Sequence, residues 1–133
     1  MKLTTKSEYT LLALLFMARR KEDEYIKVDD ICKKYEISKK YLEYLFTILR
    51  QNGYIKTRRG AGGGYRLARA AGKISLAQII RLMDGALAPT ESVSKYFYSE
   101  TPLKKEKKVL TVFQDIRDYI AHKLEKLTLA DLI

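Results

Sequence analysis

The sequence has few of the residues that form covalent or metal-bound scaffolds. Its 133 residues include one cysteine, one histidine, two prolines and no tryptophan. The lone Cys32 excludes an internal disulfide bond and cannot provide a multi-cysteine metal site. We therefore expect a fold that depends on its apolar core, and a chain of this size buries roughly two-thirds of its unfolded surface.

Long apolar runs are also missing. Residues 11–18 (LLALLFMA) form an apolar run of eight residues, far shorter than the ~20 residues of a membrane helix. Glu8 precedes this run, and Arg19, Arg20 and Lys21 follow it without the small residues of a cleavage site. We expect a cytoplasmic protein that makes no membrane contact.

The residue patterns of enzymes are absent as well. The sequence contains no recognisable pairing of a nucleophile with a base and no cluster with metal-ligand spacing. The glycine-rich segment 60–64 lacks the Gly-Lys-Ser/Thr that completes a phosphate-binding loop. We therefore expect a protein that is not an enzyme and that needs no cofactor.

Charge is abundant and uneven. The chain has 26 lysines and arginines against 16 acidic residues, a formal net charge of +10. The quarter of the chain from Lys33 to Arg66 contains nine basic residues and two acidic ones. A basic patch of this kind favours a polyanionic partner, nucleic acid before membrane.

The stretch 38–67 predicts one helix followed by one β-hairpin. Ser38 is a good N-cap, and an apolar stripe at helical spacing follows it, formed by Leu42, Leu45, Phe46 and Leu49. Gly53 is a helix-ending residue. Two short strand-like runs within 54–68 then flank glycine-rich residues 60–64.

A helix-turn-helix completes the pattern. A short helix from Asp29 or Asp30 to Tyr35 and a turn at Glu36 precede the helix capped by Ser38. The second helix carries lysines on the face opposite its leucines, and the hairpin adds more basic residues. A helix sized for the major groove beside a basic wing predicts DNA binding. The alternative is a winged-helix module that docks a protein partner without reading DNA.

The remaining chain predicts three further helices and one long loop. Residues 5–8 resemble a capping box that begins a central helix, and Ser75 begins another helix that Gly85 ends. Residues 86–102 form a polar, irregular loop. A long helix over 103–127 follows, and it has little left to pack on in its own chain, so a second subunit is its natural partner.

These elements define the expected organisation. The fold class is mainly α with a small β-wing, in which a winged helix-turn-helix domain (1–85, wing about 54–68) precedes a linker or sensor loop (86–102). A dimerisation helix and C-terminal turn (103–133) complete the chain. The expected dimer interface consists of Val109, Phe113, Ile116, Ile120 and Leu124.

Five segments resemble the Rrf-two family of bacterial winged helix-turn-helix regulators, and together they extend over essentially the whole chain. They are MKLTTKSEY at 1–9, ISKKYLEYL at 37–45, LRQNGYI at 49–55, RGAGGGYRL at 59–67 and TLADL at 128–132. The glycine-rich wing segment is the most specific of them. The family includes iron–sulfur regulators, nitric-oxide sensors and repressors of cysteine metabolism.

The resemblance implies a homodimeric transcription regulator, a repressor or an activator and here more readily a repressor, that binds a palindromic operator. It implies that Arg59 enters the minor groove while the recognition helix reads the major groove. Glu43 can accept only from a donor such as cytosine N4; otherwise it is an ordinary exposed glutamate. The expected DNA-binding residues are Ser38, Lys39, Lys40, Tyr41, Glu43, Arg50, Arg58, Arg59, Gly60, Gly62 and Gly63.

The sequence departs from the iron–sulfur members of that family. Those members place three cysteines in the loop that corresponds to 86–102, and this chain has none there. Because thiolates hold such clusters, we expect no [2Fe-2S] cluster, as in the repressors of cysteine metabolism. Glu8 is read as a capping residue, Cys32 as a packed residue more readily than a redox switch, and His122 as a surface or interface residue.

Residues 86–102 could instead receive the regulatory signal. Tyr96, Phe97 and Tyr98 form an aromatic cluster that could anchor a regulatory protein or a small-molecule effector. Equally, the three side chains could pack onto the domain and close its core.

Overall fold

The computed structural model describes residues 1–133 and contains five α-helices and one two-stranded antiparallel sheet. The elements are α1 (Thr5–Ala18), α2 (Val28–Tyr35), α3 (Lys39–Gln51), β1 (Ile55–Arg58), β2 (Gly64–Leu67), α4 (Leu76–Asp84) and α5 (Lys107–Lys126). Short 3₁₀ turns lie at Ala71–Lys73, Glu91–Val93, Pro102–Lys105 and Leu129–Leu132. The predicted fold class, mainly α with a β-wing, is confirmed.

The main core lies between α1 and α3 and contains 18 buried residues. Helix α3 contributes its whole predicted stripe, and each of those four side chains is at most 1% exposed. Helix α1 contributes Ala13, Leu14, Phe16 and Met17. Full burial of such a side chain contributes about 1.5–3 kcal/mol, so the shared core with α1, α2 and β1 fixes the position of α3.

The predicted start of α1 is wrong by one residue. Thr4, not Thr5, is the N-cap, and its hydroxyl accepts a hydrogen bond from the Lys6 amide. The Thr4 hydroxyl also donates to Asp84 at the end of α4, at 2.6 Å, and the Thr4 amide donates to the same carboxylate at 2.9 Å. Glu8 is exposed and takes no part in the cap. The distant Asp84 therefore favours Thr4 as the cap.

Reciprocal capping boxes begin both α4 and the C-terminal turn. Ser75 and Gln78 form a reciprocal capping box at the start of α4. Thr128 and Asp131 form another at the C-terminal turn. That turn returns to the main core, where Leu129 is fully buried, and the Leu129 amide donates to the Ile74 carbonyl at 3.0 Å.

Helix α5 lies against α4 along only one side. A small second core of Ala77, Ile80 and Leu87 packs against Ile120 and Leu124. The Arg81 guanidinium on α4 forms an ion pair with Glu125 at 2.6 Å. Ala121 is the only fully buried residue of the helix. None of the five helices is both long and apolar enough to cross a membrane.

Candidate nucleic-acid interface

The helix-turn-helix is held by a tight turn between α2 and α3. Helix α2 begins one residue before the predicted aspartates, with Lys27 as a cap that has no side-chain hydrogen bond. Glu36 then takes a left-handed conformation with φ 56°, which turns the chain so that Ile37 is buried. The Ser38 hydroxyl accepts a hydrogen bond from the Tyr41 amide at 3.4 Å. Ser38 is therefore the N-cap of α3, as predicted.

Helix α3 has two chemically distinct faces. Its leucines and Phe46 are buried, whereas its opposite face is polar and exposed. Its 13 residues, with a rise of 1.5 Å from each residue to the next, make the helix about 18 Å long. The exposed residues of this face are Lys39, Lys40, Glu43, Tyr44, Thr47 and Arg50.

The wing is fixed to α3 by its inner face. Strands β1 and β2 pair antiparallel with Thr57 opposite Tyr65 and Lys56 opposite Arg66. The Tyr65 ring packs on Phe46 of α3 with ring centroids 4.7 Å apart. The Tyr65 backbone also exchanges two hydrogen bonds with Ile26, at 2.8 and 2.9 Å. The wing is therefore positioned from both the helix and the chain that precedes α2.

Two glycines at the wing tip cannot carry a side chain. A Cβ on Gly63 would lie 1.9 Å from the Arg58 carbonyl oxygen. Gly64 has φ +146°, and its Cβ would lie 2.1 Å from the Ile26 carbonyl oxygen. The tip closes through a hydrogen bond from the Gly63 amide to the Gly60 carbonyl at 3.0 Å. The glycine-rich segment is thus required by close backbone approach.

The two wing arginines differ in their surroundings. The Arg58 guanidinium donates to the Gly62 carbonyl at 2.8 Å and lies over the Tyr25 ring at 4.5 Å. Arg58 therefore braces the tip. Arg59 is exposed and takes part in none of the four ion pairs of the chain.

The charges of α3 are only partly neutralised within the chain. Lys39 forms an exposed ion pair with Asp29 of α2 at 3.2 Å. The hydrogen bond from Lys39 to Asp29, together with the charge of that carboxylate, raises the pKa of Lys39 above its ordinary value. Lys40 and Arg50 have no acidic partner. These cations and Arg59 therefore face solvent with their charge uncompensated.

Most of the predicted DNA-binding residues are accessible. Ser38, Lys39, Lys40, Glu43, Arg50, Arg58, Arg59, Gly60 and Gly62 are exposed. Tyr41 is half-buried, and Gly63 is buried in the tip. The Tyr41 hydroxyl lies 3.1 Å from the Thr5 hydroxyl of α1, and its ring meets Tyr9 edge-on. Tyr41 thus connects α3 to α1.

Sequence reasoning missed Tyr44 and Thr47. Tyr44 is 48% exposed, stacks beside Tyr41 and lies under the Lys6 ammonium group. Thr47 is exposed one turn further along. Extending the helical spacing from Lys40 and Glu43 by three or four residues would have found both.

The aromatic cluster of the 86–102 loop is at the surface. Tyr96, Phe97 and Tyr98 are 70%, 46% and 61% exposed, so they do not close the core. Leu87 and Val93 of the same loop are buried instead. The Arg117 guanidinium of α5 donates to the Val93 carbonyl at 2.9 Å, and the Arg81 guanidinium lies over the Tyr96 ring. The loop is therefore attached to both α4 and α5.

A helix-turn-helix followed by a braced basic wing is the architecture of winged-helix DNA-binding proteins. The family model of Rrf2, described as an iron-dependent transcriptional regulator, matches residues 3–133. The chain belongs to this family, the Rrf-two family suggested by its sequence motifs.

Individual relatives agree with this placement. The HTH-type transcriptional regulator IscR of Cronobacter sakazakii is 33% identical over 135 residues, which cover 100% of this chain and 80% of that protein. The structure of CymR (YrzC), the global cysteine regulator of B. subtilis, superposes with a TM-score of 0.80 at 31% identity and covers 99% of this chain and 95% of its own. T. potens IscR gives a TM-score of 0.75 at 29% identity, with 99% and 85% covered. The chain is a DNA-binding transcription regulator and not an enzyme.

The residues of this chain do not fit the iron group that the family description implies. The structure contains no group of three or more His, Cys, Asp or Glu side chains that could hold a metal ion. Residues 86–102 contain neither cysteine nor histidine, although iron–sulfur clusters need thiolate or imidazole ligands. His122 is exposed on α5.

Cys32 lies half-buried on α2. Burial, together with the nearby carboxylate of Asp29, raises the pKa of its thiol. A raised pKa disfavours the reactive thiolate. This environment supports the interpretation of Cys32 as a packed residue rather than a redox switch.

Proposed function

We propose that the protein is a sequence-specific regulator, a repressor, that binds a palindromic operator as a homodimer in the cytoplasm and carries no iron–sulfur cluster. The observation that supports it best is the polar, cation-bearing face of α3 beside the unpaired Arg59 at a braced wing tip. Cations without internal partners are suited to phosphate contacts, which supply most of the affinity for DNA.

The dimensions of α3 suit the major groove. An α-helix with its side chains is about 10–12 Å wide, close to the width of the groove. In this arrangement Lys40, Glu43 and Tyr44 face base edges, while Ser38, Lys39 and Arg50 contact phosphates. Arg59 enters the adjoining minor groove, and Arg58 with Gly60, Gly62 and Gly63 sets the shape of the tip.

The exposed side of α5 supports the homodimer. Val109, Val112, Ile116 and Tyr119 are each at least 40% exposed and follow helical spacing along one stripe. Half-buried Phe113 borders this stripe, whereas Ile120 and Leu124 pack on α4 within the same chain. The proposed interface is therefore centred on Val109, Phe113 and Ile116. Ile120 and Leu124 support it indirectly, because they hold α5 against α4.

A two-fold axis through paired α5 helices would present two recognition helices to one face of the DNA. Dimeric helix-turn-helix proteins bind half-sites about 34 Å apart, one turn of the duplex, or multiples of this spacing. The operator is therefore expected to contain inverted half-sites.

Genome-wide footprinting of the purified protein tests this function. The expected result is a small set of protected sites that share one inverted repeat, with two protomers on each. Protection that follows no common sequence would contradict sequence-specific readout.

The second candidate function is a winged-helix module that docks a protein partner. The exposed aromatic cluster of the 86–102 loop is the observation that favours it. A mobility shift of duplex DNA that weakens as salt increases separates the two, because counterion release accompanies phosphate contacts. An absent shift at low salt would favour the protein-docking module.

The same aromatic cluster is the proposed anchor for a regulatory protein or a small-molecule effector. An effector changes a regulator only through different affinity for its two states, and this loop connects α4 of the winged domain to α5. Replacing Tyr96→Ala together with Tyr98→Ala should preserve dimerisation and operator affinity and abolish the cellular response. Loss of folding or of DNA binding in the double variant would show that the rings are structural.

A further inference from the structure

A cavity of about 370 Å³ lies at the root of the wing, on the side away from α3. It is formed by the end of α1, the turn that follows α1 and the segment after β2, and its lining includes Arg20, Lys21, Lys56, Arg66 and Arg69. Its volume is within the range of small-molecule sites, about 300–1,000 Å³. No role in DNA reading has been assigned to this cavity.

The cavity lies on the face of the wing opposite to the ring that packs on α3, and the Arg58 guanidinium at the wing tip shares the Tyr25 ring with Arg66 of the cavity. Lys56 and Arg66 are cross-strand partners, and side chains alternate between the two faces of a strand. The neighbouring pair, Thr57 and Tyr65, contains the ring that packs on Phe46 of α3. Lys56 and Arg66 therefore point to the opposite face of the wing.

The five cations around the cavity have no ion-pair partners. None of them appears in the four ion pairs of the chain, although Glu22 and Glu24 also line the cavity. Arg69 donates to the carbonyls of Asn52 and Gly53, which keeps its guanidinium in place. Neutral carbonyls leave its positive charge uncompensated.

Arg66 is held in the wall of the cavity with a free donor. It donates one hydrogen bond to the Glu22 carbonyl at 3.2 Å and lies against the Tyr25 ring. Its Nε atom is buried and has no hydrogen-bond partner. These contacts fix the Arg66 side chain in the wall of the cavity, and no carboxylate neutralises its charge.

We propose that this cavity binds a small di- or trianion that carries carboxylate or phosphate groups on a compact carbon or oxygen framework. Arginine forks bind such oxyanions through paired hydrogen bonds, and a bound anion relieves the repulsion among the clustered cations. Met17, Ala18 and Leu67 provide an apolar wall against which the framework packs.

Calorimetric titration of the full chain, without DNA, tests the site. Citrate and pyrophosphate are the probes, so that carboxylate and phosphate ligands are distinguished at constant ionic strength. The expected result is saturable one-to-one binding of at least one probe with a Kd below about 100 µM. Absence of saturable binding by both probes would overturn the proposal.

Paired variants locate the binding. Replacing Arg20→Gln together with Lys21→Gln should weaken probe binding at least about tenfold, since two of the five cations are lost. Lys123→Gln together with Lys126→Gln removes the same charge from the end of α5, outside the cavity, and should leave binding unchanged. Equal weakening by both pairs would show only general attraction to a basic protein and would overturn the site.

Titration with DNA at several salt concentrations tests whether the cavity binds the DNA backbone instead of a small anion. In that case the Arg20 and Lys21 substitutions would reduce the salt slope of DNA binding, and neither citrate nor pyrophosphate would bind the wild-type protein. That pair of results would contradict the proposal. Probe binding lost in this variant, with its DNA salt slope unchanged, would support it.

Discussion

Helices α3 and α5 present opposite chemistry to solvent. Helix α3 buries its three leucines and Phe46 within its own chain and exposes a polar face. Helix α5, with 20 residues, buries only Ala121 fully and exposes Val112 and Tyr119 at 54% and 70%. A polar, basic face stays hydrated and attracts a polyanion, whereas an exposed apolar stripe gains free energy when another apolar surface covers it.

DNA binding and dimer assembly are expected to depend on different helices. The cations of α3 that have no acidic partner within the chain lie where DNA is expected. The apolar side chains of α5 that no other part of the chain covers lie where a second subunit is expected. A substitution on α3 should therefore leave the dimer intact, whereas one that breaks the dimer at α5 should also weaken binding to an operator with two half-sites.

The largest effect is expected from Ile116→Glu on α5. Because Ile116 is 40% exposed within one chain, the substitution should not disturb the fold of the protomer. In the dimer it would put an unpaired charge into a dry interface, at a cost of several kcal/mol. Sedimentation should report a monomer.

Thr111→Glu is the matched control, because Thr111 is exposed on another side of α5. It should remain dimeric. Identical masses for the wild type and Ile116→Glu would refute the α5 interface.

A smaller effect is expected at the wing tip. Gly63→Ala would place a Cβ 1.9 Å from the Arg58 carbonyl oxygen, so the tip must rearrange at a cost of about 2–3 kcal/mol. DNA affinity should fall while the dimer persists. In Gly62→Ala the new Cβ meets only the flexible end of Arg58 at 3.4 Å, and affinity should be nearly unchanged. Equal affinities in the two variants would show that tip geometry is unimportant.

Glu43 on α3 should affect base preference more than total affinity. Glu43→Ala should reduce discrimination by about 1–3 kcal/mol at one position of each half-site. Glu43→Gln should move the preference toward adenine, because an amide can pair with adenine N6 and N7. Sequencing of selected binding sites measures both changes. An unaltered sequence preference would identify Glu43 as an ordinary surface glutamate.

The smallest effect is expected from Asp29→Asn. Asp29 forms an exposed ion pair with Lys39 and in the proposed complex would compete with DNA phosphates for it, although exposed pairs contribute only about 0.2–1 kcal/mol. DNA affinity should rise slightly in this variant, as fluorescence titration would detect. Asp23→Asn removes the same charge outside the helix-turn-helix and should change affinity less. A decrease in affinity for Asp29→Asn would mean that Asp29 positions Lys39 for DNA instead.

The sequence predicted α3 and the wing closely because their determinants are local. Ser38 caps α3, its apolar stripe has helical spacing, and Gly63 lies where the backbone of nearby Arg58 approaches closely. Such features depend on neighbours within a few residues.

Features that depend on distant contacts were harder to predict. Thr4 and Thr5 are equally competent caps by sequence, and Asp84, 80 residues away, distinguishes them. Burial alone would raise the pKa of Asp84, but the groups of Ser7 and Thr4 that face it hold the pKa below its ordinary value. The bracing role of Arg58 similarly depends on Tyr25.

Tertiary structure also decides which apolar residues of α5 are covered within the chain and which are exposed. A helical wheel groups Ile120 and Leu124 with Ile116, yet α4 and Leu87 cover the first two and leave Ile116 exposed. No local pattern in the sequence of α5 specifies which of its apolar residues the distant α4 covers.

The salt dependence of operator binding tests the central account most directly. A dimer that contacts about six to ten phosphates should show a slope of log K against log salt concentration of roughly −5 to −9. Arg59→Ala should weaken binding to every sequence and reduce the magnitude of the slope by about one for each protomer. A flat salt response of the wild type would contradict the assignment of the α3 and wing surface to DNA.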